Sequence, residues 1–138
     1  MGITNRQLKY FEICKSVSKL SDFPRQHLGA ICVYRKQILS VGTNQTKSHT
    51  LQAIYNSHRG FDGFEYNSSI HAEIDALSKI RYMDVDFSKV RLYIYRETAN
   101  GELAMARPCR ACMGFIRDMG IREIWYSTDS GYCCERII

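Results

Sequence analysis

His71-Ala72-Glu73 and Pro108-Cys109-Arg110-Ala111-Cys112 carry the side chains most suited to chemistry in this chain. Taken singly, each is ambiguous. A histidine near a helix start is commonly a cap or a core residue, and a C-x-x-C pair can be redox-active, metal-binding or accidental. Together they offer three ligand-type residues, two of them soft thiolates. Three protein ligands leave the fourth tetrahedral position of a zinc ion open, as a catalytic site requires. A structural zinc would need a fourth protein ligand, for which Cys133 or Cys134 is the obvious candidate. Glu73, two residues from His71, can approach a water at the metal without competing as a ligand. It is therefore the natural general acid/base, taking a proton from water and delivering it to a leaving amine.

Positioning these residues requires particular elements. Thr4 and Gln7 fit a capping box, and Leu8, Phe11, Cys14 and Val17 recur on one face, which predicts a first helix over residues 4–20. Apolar runs at Leu28–Tyr34 and Gln37–Val41, parted by Arg35-Lys36, predict a strand hairpin closed by Gly42-Thr43-Asn44. Residues 45–67 read as a long loop with room for one short helix. A second helix is expected from about Asn67-Ser68-Ser69 to Met83. Val90–Tyr95 reads as a third strand, followed by a hairpin-like excursion over 96–107 that turns at Asn100-Gly101. Pro108 suits the first turn of a third helix ending at Met119 with Gly120 as its C-cap. Ile121–Tyr126 and Tyr132–Ile138 complete the strands. Only Ser127–Gly131 separates these two, too short for a parallel crossover, so they must be antiparallel. The order α-β-β-α-β-α-β-β predicts a three-layer α/β/α sandwich around a central five-stranded mixed sheet. Placing both motifs at helix N-termini directs partial positive charge at the site and favours thiolate.

The 138 residues amount to a single domain, 1–138, with a composition ordinary for a soluble globular protein. No apolar run approaches a membrane span, and the N-terminus lacks both a signal-peptide core and the Ser or Thr of a myristoylation motif. A cytoplasmic location without membrane partners is the expectation. The net charge of +5 is uneven: residues 1–36 carry seven basic side chains against two acidic, while the remainder is balanced at twelve each. Such an excess is either a solvated helix face or a patch for phosphate or a polyanion.

The compound pattern H-x-E…P-C-x-x-C, met here without departure, is the zinc deaminase signature. With the element order over essentially the whole chain, it resembles the cytidine/deoxycytidylate deaminase superfamily. The resemblance implies one catalytic Zn2+ held by His71, Cys109 and Cys112, with Glu73 as proton shuttle. It implies hydrolytic attack at C4 of a cytosine or C6 of an adenine, releasing ammonia. It also implies that Asn44 helps bind the sugar or base and that the peptide N–H of Ala72 meets the base carbonyl. Oligomers are common in the family, so a homo-oligomer fits.

Substrate identity is less determined. Histidine as first ligand resembles deoxycytidylate and tRNA-adenosine deaminases, whereas the short antiparallel C-terminal hairpin resembles free cytidine deaminases and some polynucleotide-acting toxins. The leading expectation is conversion of cytosine to uracil in a small nucleoside or nucleotide, of deoxycytidylate or cytidine type. One alternative is action on cytosine or adenine in single-stranded DNA or RNA, making nucleic acid a partner; another is a non-catalytic zinc module. Lys47, His49, Arg59 and Arg107 are candidates to meet a phosphate. Tyr55, Phe61, Phe64, Tyr66, Trp125, Tyr126 and Tyr132 are candidates to stack a base.

Overall fold

The computed structural model describes residues 3–57 and 69–137. Helix α1 (Asn5–Ser18) begins at Thr4, whose hydroxyl accepts from the Gln7 N–H while the Gln7 side chain accepts from the Thr4 N–H. Both bonds of the expected capping box therefore form, each satisfying a donor that the helix itself cannot. Phe11, Cys14 and Val17 are buried as expected, but Leu8 is 38% exposed. Tyr10 fills the inner face instead, its ring 5.0 Å from that of Tyr93.

Strands β1 (Gln26–Tyr34) and β2 (Gln37–Thr43) pair as the predicted hairpin. Their two-residue turn, Arg35-Lys36, has φ of 51° and 68°. The left-handed region matches the twist of a tight hairpin but costs a non-glycine residue on the order of 1 kcal/mol. Helix α2 (Thr50–Ser57) is the short helix for which the 45–67 segment had room. Helix α3 covers only Ala72–Ser78, not Asn67–Met83. Asn67 and Ser68 lie outside the described residues. Ser69 is held extended by a bridge to Ser48, and the Ile70 N–H donates to the Lys47 carbonyl, so the helix cannot start before His71. Beyond Ser78 the chain continues in turns rather than α-helix.

Strand β3 (Arg91–Thr98) runs three residues further than expected and pairs through the 96–107 excursion with a two-residue strand β4 (Leu103–Ala104). Helix α4 (Arg110–Met119) has Cys109 at its N-cap, placing Pro108 one residue before the cap, outside the first turn. Gly120 ends it at φ 91°, the left-handed C-cap that glycine supplies at least cost. Strands β5 (Glu123–Thr128) and β6 (Gly131–Arg136) follow.

The strands form one mixed sheet, β2-β1-β3-β5-β6, with β4 as a sixth, short strand beside β3. β3 and β5 are parallel, and β5 and β6 antiparallel, as the short connection demands. On one face α1 covers Ile31, Val33, Tyr93 and Tyr95. On the other, α3 and α4 bury a larger core of Ala30, Cys32, Leu92, Ile94 and Ile124 with Ile74, Leu77 and Ile116. The predicted α/β/α layering is present, because alternate residues of each strand feed opposite cores. No helix among the described residues is long and apolar enough to cross a membrane.

Gly42 fixes one spacing that matters below. A Cβ there would lie 2.4 Å from the Ala76 nitrogen and 2.5 Å from the Ala72 carbonyl oxygen, so only glycine lets α3 rest directly on β2.

Candidate metal centre

The start of α3 and the start of α4 converge at the carboxyl end of β3, where open α/β sheets characteristically hold ligands. His71 and Cys109 are the two N-cap residues, and neither makes a side-chain capping bond. Their side chains turn instead toward each other and toward Cys112, in the first turn of α4. One ligand atom from each of the three lies within 4.8 Å of the other two. His71 Nδ1 is 3.2 Å from Cys112 Sγ and 3.6 Å from Cys109 Sγ. Imidazole with two thiolates at this separation is a donor set that suits Zn2+. Neither Cys133 nor Cys134, both on β6, joins the group, so the described residues supply three ligands and no fourth.

The electrostatics fit a cation. Cys109 accepts a hydrogen bond from the Cys112 thiol, with His71 contributing further, and this pulls it down to about 3 despite partial burial. Cys112 moves the opposite way, because it donates to Cys109 and is fully buried. Without a metal, the two sulfurs hold one thiolate between them; a divalent ion would deprotonate both. Glu73 is 3% exposed, and its Oε1 is buried with no hydrogen-bond partner. Burial pushes its carboxyl up to about 7, with His71 opposing and Cys109 reinforcing the rise. An orphaned carboxylate oxygen needs a partner brought in from outside the chain.

Gln52 of α2 positions two members of this cluster, and no sequence pattern marked it. It is fully buried, its Oε1 accepts from the His71 N–H at 3.0 Å, and its Nε2 donates to Asn56 Oδ1 at 3.0 Å. Its side chain also bonds to Cys112 and favours that thiolate. A polar residue on a short amphipathic helix gives no signal of this until the fold buries it.

Glu73, His71 and Cys109 open onto a cavity of about 330 Å³. Asn44 forms part of its wall. The Asn44 amide also ties down the start of β1: Oδ1 accepts from the Leu28 N–H at 2.9 Å and Nδ2 donates to the Gln26 carbonyl at 3.1 Å. Ala72 is buried and does not line the cavity, although its N–H, at the first helical position, has no acceptor within α3. Asp75 accepts from the Thr43 N–H at 3.0 Å and from Gln45, locking α3 to the end of β2 beside Asn44.

Other candidates divide. Arg107 lines the cavity, but Glu135 holds its guanidinium through two 2.9 Å hydrogen bonds. Lys47 and His49 do not line it, and Arg59 lies outside the described residues. Tyr55 packs on Phe115, Trp125 on Tyr93 and Tyr132 on Phe11, while Tyr126 donates to Glu135. Phe61, Phe64 and Tyr66 lie outside the described residues. Among the described residues, the aromatic ring in the cavity wall is that of Phe23, which no sequence pattern singled out. Arg96 was missed as well. It is the cavity's second guanidinium, with one NH2 group on the Met105 carbonyl at 3.1 Å and a buried Nε that has no partner.

Comparison with known proteins bears on the fold and the family. The structure is similar to the dCMP deaminase of cyanophage S-TIM5, at 21% identity over 90% of this chain and 84% of that one, with a TM-score of 0.60. The same phage enzyme in complex with dCMP and dUMP gives 19% identity, coverage of 91% and 83%, and a TM-score of 0.62. Cytidine deaminase from Burkholderia pseudomallei gives 16% identity, coverage of 97% and 93%, and a TM-score of 0.64. Comparison with curated protein sequences returns no match. The family model for the cytidine and deoxycytidylate deaminase zinc-binding region matches residues 4–128, a span that includes α1, His71, Glu73, Cys109, Cys112 and all of β5, and the chain belongs to that family.

Proposed function

We propose that the protein is a zinc-dependent hydrolytic deaminase that converts cytosine to uracil in a small nucleotide, with deoxycytidylate as the preferred substrate. The observation that carries this reading is the His71–Cys109–Cys112 cluster beside a buried, partnerless Glu73 oxygen at one wall of a ligand-sized cavity. His71, Cys109 and Cys112 would hold the ion, and Gln52 would keep His71 and Cys112 in register. Bound there, zinc lowers the pKa of water at its open position and so supplies a nucleophile at neutral pH. Glu73 would take up in turn the two protons that the water loses, delivering one to N3 of the ring and one to the departing amino group. The water oxygen would bond to C4, the C4–N bond would break, and the oxygen would remain as the new carbonyl while ammonia leaves. A carboxyl held near 7 is matched to accepting and returning a proton at neutral pH.

The walls supply binding. Phe23 is the aromatic side chain proposed to meet the pyrimidine, and Asn44 retains one amide hydrogen for the sugar or base. The Ala72 N–H, at the start of α3 and not itself in the wall, is the donor proposed for the base carbonyl. Arg96 favours a nucleotide over a nucleoside, since it lines the cavity with a guanidinium that suits a 5′-phosphate. The dense basic groove described below lies at the other end of the sheet and does not lead into this cavity, which supports a small-molecule substrate over a polynucleotide.

Ammonia release from deoxycytidylate, cytidine, adenosine and a short oligonucleotide, measured side by side on the zinc-loaded protein, tests the proposal. Deoxycytidylate is expected to lead, and Glu73→Gln to keep its zinc while losing at least ~10²-fold in kcat. No ammonia from any of the four, with zinc bound, would leave the non-catalytic zinc module standing.

A further inference from the structure

A second cavity, at about 860 Å³ larger than the one beside the His71–Cys109–Cys112 cluster, lies away from it. It lies at the opposite end of the sheet, where the β1–β2 turn, the starts of α1, β3 and β5 and the end of β6 come together. The two cavities are separated along β1 by the rise from Leu28 to Val33, roughly 17 Å.

Seven cations line this second cavity: Arg6, Arg35, Lys36, Lys89, Arg91, Arg122 and Arg136. Glu123 is the one carboxylate among the lining residues, and it is engaged by Arg91 at 3.0 Å and Arg136 at 3.6 Å. Asp86 stands near Arg35 and Lys89 but bonds to Ser88. Among the described residues, no carboxylate is within ion-pair distance of Arg6, Arg35, Lys36, Lys89 or Arg122. Five exposed cations thus surround one concavity with no ion-pair partner among the described residues, on a protein whose whole net charge is +5. Like charges gathered this way repel one another and raise the local concentration of anions.

The turn provides an independent sign. A two-residue hairpin turn with both residues at positive φ is cheapest as Asn-Gly. This chain places Arg35 and Lys36 there, both in the left-handed region and both at the cavity mouth. Backbone strain of this kind clusters at ligand clamps and functional sites.

We infer that this cavity binds a run of contiguous phosphates, either the polyphosphate of a free nucleotide or the backbone of a nucleic-acid strand, independently of the metal centre. Five open guanidinium and ammonium groups spread over several elements fit several phosphate oxygens better than one carboxylate. Arg35→Asn, Lys36→Gly and Arg122→Gln combined tests this. The variant removes three cations and installs the preferred turn, so its fold should be at least as stable. Tripolyphosphate and a twelve-nucleotide single-stranded DNA serve as probes, titrated at several salt concentrations. Wild-type protein is expected to bind at least one probe, and the variant to bind it at least 10-fold more weakly. For DNA, the slope of log K against log salt should fall by about 2 for three lost contacts. Lys9→Gln, Lys15→Gln and Arg117→Gln combined, equal in charge change but away from the cavity, should cost less than 3-fold. Tripolyphosphate binding as tightly as DNA identifies a free polyphosphate; DNA binding much more tightly identifies a strand. Equal losses in the two triple variants, or no binding of either probe at low salt, overturns the inference.

Discussion

Glu73 combines near-complete burial, a partnerless oxygen and a carboxyl raised to about 7, and these are one physical fact seen three ways. An ionised carboxylate away from water is costly unless something answers its charge. The consequence for stability has a definite sign. A carboxyl whose pKa rises from 4.5 to about 7 on folding favours the folded state fully below pH 4.5. That contribution is lost as pH climbs through about 7. Metal-free protein, prepared with a chelator, is therefore expected to lose stability between pH 5 and 8, by at most ~3 kcal/mol. Glu73→Gln should flatten that slope, and thermal unfolding across the pH range would show it; an unchanged slope would remove burial of Glu73 as the cause. At this scale His71, Glu73, Cys109 and Cys112 were legible because their types and spacing are themselves the chemistry. Gln52, Phe23 and Arg96 were not, because glutamine, phenylalanine and arginine acquire their places only from segments distant in sequence.

The elements show what the spacing rests on. β2 and α3 touch backbone to backbone at Gly42, and Asp75 clamps the end of β2 to α3. Gly42→Ala would force a methyl group to within 2.4–2.9 Å of the α3 backbone. Backbone cannot swing aside like a long side chain, so α3 must move. A loss of ~1–3 kcal/mol in stability is expected, together with weaker zinc binding, since His71 begins that helix. Chemical denaturation and metal titration of the same variant check both, and wild-type values for each would mean that α3 tolerates displacement. The order of elements was readable from capping, period and turn residues, as at Thr4-Gln7, Asn100-Gly101 and Gly120. The start of α3 was misplaced for a specific reason. Asn67-Ser68-Ser69 look like caps, whereas the true cap is a histidine whose side chain is turned to the ligand cluster.

For the whole molecule, the uneven charge takes on a meaning that linear position could not give. Three of the seven N-terminal cations, Arg6, Arg35 and Lys36, join Lys89, Arg91, Arg122 and Arg136 around one cavity. The rest of the N-terminal excess lies elsewhere. The sheet thus places the proposed metal chemistry and a positive concavity at opposite ends, a strand's length apart. In that arrangement a metal would join α3 to α4 across the core that holds both. Zinc at about 100 times its dissociation constant is expected to raise the thermal midpoint by on the order of 10 °C. Cys109→Ser should abolish this difference, and a calorimetric scan with and without chelator reads it. No change on chelation of the wild type would place the metal outside the folding equilibrium.

The two uncapped N-caps carry a last consequence. His71 and Cys109 occupy the positions where serine, threonine or aspartate would ordinarily close a helix, and each forgoes about 1 kcal/mol of capping. An ion held by both would stand in for the two missing caps at once. The boundary between coil and helix in α3 and in α4 would then be set by one shared atom that the chain does not encode. Loading the site and completing two helices become a single thermodynamic event.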